Sequence, residues 1–145
     1  MEQFDALVEN HNIEVSKAKL KDYNSLVFAF LGDAIHTLFV RSYFVLKSNE
    51  KAGALHLKTS KFVKASAQAK MLDKLVEHLT EEELQTIKTA RNSYQKNIAK
   101  NANLEDYKKA TGFEALIGYL YLTHQIDRMK ELLNKSLEIM ENLWN

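Results

Sequence analysis

Leu26–Arg41 reads LVFAFLGDAIHTLFVR, a run in which Leu26, Val27, Phe28, Phe30, Leu31, Ile35, Leu38, Phe39 and Val40 surround a single acid, Asp33. At helical spacing these side chains cover nearly the whole circumference, which predicts a helix buried on all sides. A carboxylate in the middle of such a helix must be neutralised, hydrogen-bonded or bound to a metal, because an unpaired buried charge is strongly destabilising. Thr111–Leu122, TGFEALIGYLYL, repeats the arrangement with Glu114 as its lone acid. Small residues flank both acids, Gly32 and Ala34 beside the first, Gly112 and Ala115 beside the second. Two helices built this way are expected to approach until both carboxylates reach one cation. Hard oxygen ligands select Mg²⁺, which keeps several waters and needs only one or two protein carboxylates.

Around these two runs the chain has the composition of one all-helical domain. Its 145 residues include no proline, four glycines and no cysteine. That disfavours a turn-rich β design and excludes disulfides and thiolate metal sites. We expect a single domain over residues 1–145, with 1–24 as an N-terminal extension and 25–145 as the helical core. The start, MEQFDALVEN, lacks the basic and apolar segments of a signal peptide, and a reducing, cytoplasmic setting fits. Leu26–Leu46 approaches the ~20 residues that span a bilayer. Asp33, His36 and Arg41 lie within it and each would be costly in lipid, so no membrane partner is expected.

The net charge of +1 conceals a division. Residues 41–74 carry eight Lys or Arg against two acids, and residues 91–109 carry five against two. The rest of the chain is acidic. Two basic segments in a near-neutral chain point to a local surface for a polyanion, with solvated lysines as the plainer reading.

Phe4, Leu7 and Val8 hint at a short helix, and Ser16–Lys21 reads as a connector. Asn24 or Ser25 caps the first apolar helix, which the polar cluster Lys47–Lys51 with Gly53 ends near Leu46. A continuous helix is expected over about 54–78, with Phe62, Ala65, Ala69, Leu72 and Val76 on one stripe. Thr80 and Glu83 form a capping box, and Leu79 with Leu84 the matching staple, so a helix runs from Glu81 to about Arg91 with Leu84 and Ile87 inward. Residues 92–103, NSYQKNIAKNAN, read as a mobile basic loop. Asn103 caps a helix over Leu104–Thr123, and a last helix follows a turn near Thr123–Gln125.

Several chemistries are absent: there is no Walker loop, no GxGxxG, no HExxH and no His-Asp dipeptide. Asp33 and His36 share a helix face, but a di-iron bundle needs a second Glu-x-x-His and none exists, so His36 reads as a satisfied helix residue. The pair Asp33 and Glu114 is what remains.

At Phe28-Ala29-Phe30-Leu31-Gly32-Asp33-Ala34 the sequence resembles the signature helix of the class III ribonucleases, Leu-Glu-Phe-Leu-Gly-Asp-Ala. Thr111–Gly118 is similar to their second motif, Asp-x-Phe-Glu-Ala-x-x-Gly. The likeness runs from about Leu26 to Leu122 and takes in Leu55-His56 with Ser60, the Ala65…Gln68-Ala69 segment, Arg91-Asn92 and Tyr107. Length and the missing double-stranded-RNA-binding domain make the chain look like the compact Mini-ribonuclease III branch. Two of the four acids of the larger enzymes are Ala29 and Thr111 here, so only Asp33 and Glu114 carry over as catalytic metal ligands.

The resemblance implies a Mg²⁺-dependent endonuclease that cuts double-stranded RNA, not DNA, leaving 5′-phosphate and 3′-hydroxyl ends. It suggests precursor large-subunit ribosomal RNA as the substrate. It also implies a homodimer in which Leu26, Val27, Phe30 and Leu31 pack on the partner, Phe30 inserting into it. Candidate RNA contacts are Lys58, Lys61, Lys64, Arg91, Asn92, Lys96, Lys100, Tyr107, Lys108 and Lys109. Two alternatives stay open at this point: a non-catalytic, ribosome-associated relative that binds RNA uncut, and a helical protein-interaction module.

Overall fold

The structure, a computed structural model, describes residues 16–93 and 103–144. Seven α-helices lie within them: α1 (Lys17–Leu20), α2 (Ser25–Lys47), α3 (Ala52–Val63), α4 (Ala65–Leu75), α5 (Glu81–Arg91), α6 (Leu104–Leu122) and α7 (Ile126–Trp144). A 3₁₀ turn, Val76–His78, follows α4. The all-α reading is right. The proposed helix at Phe4–Val8, and most of the basic 92–103 segment with Lys96 and Lys100, lie outside the described residues.

The caps explain most boundaries. The Asn24 side chain accepts from the Leu26 amide at 2.9 Å and starts α2. Thr80 Oγ1 accepts from the Glu83 amide, and the Glu83 carboxylate accepts from the Thr80 amide at 2.9 Å, the reciprocal pair expected for α5. Asn103 accepts from the Asp106 amide at 3.1 Å, and Glu105 and Asp106 stand in the first turn of α6, where the helix dipole favours acids. Between α6 and α7, His124 takes a left-handed φ of 59° while the Gln125 amide bonds back to the Leu120 carbonyl at 2.9 Å. That closure caps α6 without the glycine usual at this position.

Four local expectations need correction. Ser16–Lys21 is not a plain connector: Ser16 caps the short α1, whose Leu20 is buried. The single helix over 54–78 is two helices broken at Lys64, which is extended (φ −67°, ψ 152°) and whose carbonyl accepts from the Ala67 and Gln68 amides. Gly53 does not end anything but sits in the first turn of α3. Leu84, expected inside, is 38% exposed.

The larger correction concerns which helix is enclosed. In α6 every residue from Ala110 to Leu120 is buried except Glu114 and Tyr119, and α2, α4, α5 and α7 all pack on it. α2 is buried on one side only. Ile35, Val40 and Phe44 enter the core, while Val27, Phe30, Leu38 and Val45 form a stripe along the opposite face, Phe30 being 82% exposed. α2 is long and apolar enough to cross a membrane by length and composition. In the fold its inner side serves as the core strip that crosses α6.

The crossing of α2 and α6 is fixed by two glycines. A Cβ on Gly32 would stand 1.7 Å from the Glu114 carbonyl oxygen, and one on Gly118 2.0 Å from that of Phe28. The two backbones touch, antiparallel, through Gly32 on Glu114 and Gly118 on Phe28. Gly112, expected to serve this contact, instead clears space for Ile87 and Arg91 of α5.

Candidate active site

The backbone contact at Gly32 sets the next side chain of α2, Asp33, beside the side chain of Glu114. The Asp33 carboxyl is close enough to act on the protonation of Glu114. Asp33 is exposed, so the expectation that both acids are forced out of water holds only for Glu114, which is partly buried beneath it. Asp33 itself is exposed at the edge of the α2–α6 contact.

Glu114 titrates abnormally. Burial, the hydrogen bond to Asp33 and that residue's like charge push its pKa up to about 9, and a hydrogen bond from Gln68 pulls the other way. A pKa this high favours the protonated form of Glu114 at neutral pH. Behind it lies a polar core. The Gln68 side-chain nitrogen is 2.9 Å from His36 Nδ1, and both residues are almost fully buried. Burial lowers the His36 pKa to about 4, against the opposing charge of Asp33, so the ring is neutral at ordinary pH. His36 stands edge-on to Phe113, its Nε2 without a hydrogen-bond partner among the described residues. It is a buried residue tied to Gln68 at one ring nitrogen only, so the satisfied histidine expected from the sequence is met in part.

The residues present suit a small divalent cation. Two carboxylates share one locus, and a cation there would relieve their mutual repulsion. No group of three or more His, Cys, Asp or Glu surrounds a common point among the described residues. A two-carboxylate set is what Mg²⁺ accepts when water fills the rest of its shell. Ala29 and Thr111, where further acids were absent from the sequence, are buried side chains of the α2–α6 packing.

The candidate RNA contacts are less uniform than the sequence suggested. Lys58 is paired with Glu50 at 2.6 Å, Lys109 with Asp73 at 2.8 Å, and Arg91 with Glu105. Lys61 and Lys64 are exposed on and just after α3, Asn92 is exposed at the end of α5, and Tyr107 and Lys108 are partly buried in the first turns of α6. Of the candidate interface residues, Phe30 and Val27 are exposed, while Leu26 and Leu31 are partly covered and Leu31 packs on the core. Sequence reasoning gave Gln68 no role. The available signal was one amide among the alanines of an inward stripe. A cavity of about 470 Å³, lined by Tyr43, Lys47, Lys58, Lys61 and Glu141 among others, contains neither acid.

Comparison with known proteins agrees with this geometry. Residues 26–125 match the model of the ribonuclease III domain. A Mini-ribonuclease 3 of Clostridium tetani is 40% identical over 129 residues, covering 88% of this chain and 85% of that protein. A Mini-ribonuclease 3 of Brevibacillus brevis is 44% identical over 118 residues, covering 81% and 88%. Among solved structures, a crystal structure of a Fusobacterium nucleatum protein superposes with a TM-score of 0.74 at 32% identity, over 82% of this chain and 95% of that one. The matched span contains the α2–α6 crossing and both acids, and the chain belongs to the ribonuclease III family as an endoribonuclease of the Mini-ribonuclease 3 type.

Proposed function

We propose that the chain cleaves double-stranded RNA with Mg²⁺ held by Asp33 and Glu114. The observation that carries this reading is the pair itself: two carboxyls brought together by touching glycine backbones, one at the surface and one partly buried, with no salt bridge to either among the described residues. When bound, Mg²⁺ supplies the Lewis acidity that activates water and offsets charge growing on a phosphate. Asp33 and Glu114 hold the ion, and the exposed side of Asp33 leaves room for an RNA backbone. Cleavage yields 5′-phosphate and 3′-hydroxyl ends.

Duplex RNA is read by shape across its shallow minor groove, because its deep major groove excludes side chains. Lys61, Lys64 and Lys108, with Asn92 and Tyr107, line its path, and Lys96 and Lys100, outside the described residues, remain candidate contacts. Lys58, Arg91 and Lys109 join it by exchanging their carboxylate partners for phosphates. Precursor large-subunit ribosomal RNA is the substrate we assign in the cell, with the cytoplasm as the setting.

The active form is a homodimer joined through the exposed stripe of α2. Contiguous apolar patches on a monomer mark interaction sites, and this one runs the length of the helix beside Asp33. Phe30→Asp is expected to convert a dimer into a monomer in sedimentation. An unchanged sedimentation coefficient counts against the interface.

The test of the chemistry uses perfect duplex RNA with wild type, Asp33→Asn and Glu114→Gln, each in Mg²⁺ or in EDTA, followed by analysis of the ends. Metal-dependent cutting by wild type alone supports the assignment. Equal cutting by both variants removes the proposed site.

A further inference from the structure

We propose that the cavity between α2 and α3 is a phosphate-binding site, in which the Arg41 guanidinium, the His56 imidazole and the Thr59 hydroxyl receive the oxyanion. It is separate from the acid pair and stands whatever Asp33 and Glu114 do.

The cavity measures about 320 Å³ and is walled by Val45, Ala52 and Leu55 as well as by the three polar residues. Helical spacing assembles it. Arg41 and Val45 stand four apart on α2, and Ala52, Leu55, His56 and Thr59 follow one face of α3. Each polar side chain on the wall has a hydrogen to donate, and no carboxylate lines it among the described residues. Arg41 and His56 are exposed, and neither side chain forms an ion pair or hydrogen bond among the described residues. The cavity of about 470 Å³ is different in this respect. There Lys58 is answered by Glu50 and Lys47 by the Tyr43 hydroxyl, and Glu141 stands on the wall.

Two further features point to an anion. Thr59 is 3% exposed and its hydroxyl has no hydrogen-bond partner among the described residues. A helical threonine ordinarily returns its hydroxyl to the carbonyl one turn back, as Thr86 and Thr89 of α5 do at 3.0 and 2.9 Å. Thr59 makes no such bond, which leaves its hydroxyl for a ligand. Ala52 is the first residue of α3, and that helix starts without a side-chain cap and without an acid in its first turn. Its leading amides and dipole therefore add to the positive charge of Arg41.

A cavity of donors without an acceptor selects an anion that only accepts. The planar fork of a guanidinium fits two oxygens of a phosphate, and the imidazole and hydroxyl remain for the others. The phosphate group can belong to an RNA backbone or to a small free phosphate, and the chemistry of capture is the same.

The test titrates inorganic phosphate into the protein in EDTA and follows the Arg41 Nε–H and the His56 ring in ¹H–¹⁵N spectra, against chloride at equal ionic strength. Phosphate should shift both signals and chloride neither. Arg41→Gln, a change at an exposed side chain, should weaken phosphate binding by about tenfold. Thr59→Val should weaken it too without lowering the melting temperature of the phosphate-free protein, because an unpartnered hydroxyl has no bond to lose. Equal shifts with chloride overturn the site. A lower melting temperature with unchanged phosphate affinity in Thr59→Val overturns the role of the hydroxyl. Duplex RNA binding in EDTA then separates the two sources. If Arg41→Gln weakens it and reduces the salt slope by about 1, the phosphate is that of the RNA. If RNA binding is unchanged while phosphate binding is lost, the ligand is a free phosphate, and either result upholds the site.

Discussion

Two glutamates of this small domain are withdrawn from water, and they are treated in opposite ways. Glu83, at the start of α5, accepts from the Arg128 guanidinium at both carboxylate oxygens, 2.9 Å each, and from the Thr80 amide. Hydrogen bonds from Arg128 hold its carboxyl below the usual glutamate range. Arg128 is itself placed by the His78 carbonyl and by Glu131. Burial first, and then the neighbouring acid Asp33, push the Glu114 pKa up. The Glu83 charge is neutralised inside the fold, so Glu83 can be explained by stability alone. Glu114 instead stands beside a like charge, at the position where we propose the cation binds.

The sharpest way to break the comparison is to remove each charge in turn. Glu114→Gln should lower duplex cleavage by about a hundredfold or more, with no fall in melting temperature. The new amide is neutral, like the protonated acid it replaces. A melting temperature lowered as far as by Glu83→Gln would show that Glu114 is also a structural residue.

Gly118→Ala attacks the scaffold of one glutamate and spares the other. Its Cβ would meet the Phe28 carbonyl oxygen at 2.0 Å, a backbone atom that cannot swing aside. The α2–α6 crossing must open, at a cost of about 3 kcal/mol in denaturant unfolding. In the fraction that folds, the separation of Asp33 from Glu114 should lower cleavage as well, whereas the Glu83–Arg128 pair, at α5 and α7, is untouched.

Glu83→Gln should cost about 2 kcal/mol, below the range for a fully buried pair because Arg128 is 25% exposed, and leave the cleavage rate per folded molecule unchanged. The pH dependence has a definite sign. The folded pKa of Glu83 lies below its ordinary 4.5. Its contribution is therefore complete above that value and is lost as the pH falls through the folded one. Melting temperature followed downward from pH 6 should drop more steeply for wild type than for Glu83→Gln. Parallel curves would mean that the Arg128 bonds do not stabilise the charged form.

How legible this was follows from how far each partner lies along the chain. Thr80 and Glu83 are three residues apart, and their capping box could be read directly. Asp33 and Glu114 lie far apart, yet each stands alone in an apolar run, and that isolation was enough to suggest a meeting. Arg128 gave no such sign, because an arginine on the polar side of an amphipathic helix looks like any solvated charge until α7 is laid beside α5. The break at Lys64 was hidden for a different reason: KASAQAK contains neither glycine nor proline, and tertiary packing overrides its helical propensity there. The apolar circumference of α2 was misjudged because a buried face and a face awaiting a partner have the same composition.

The smallest expected effect tests whether the Glu83 cluster acts as one unit. Thr80→Ala removes the hydroxyl that accepts from the Glu83 amide at 3.2 Å and should cost about 1 kcal/mol. If the cap and the ion pair were independent, that cost would add to the cost of Glu83→Gln in the double variant. They share a side chain, since the carboxylate that accepts from the Thr80 amide is the one gripped by Arg128. Once the glutamate is neutral, Arg128 no longer pins the start of α5, and the cap has less order to protect. The double variant should therefore lose less than the sum of the single losses, by about 0.5 kcal/mol or more, in a cycle measured by urea unfolding. Simple additivity would reduce the cluster to two unrelated contacts and weaken the contrast with Glu114, because Glu83 would then be held by a cap and a surface pair rather than by a network.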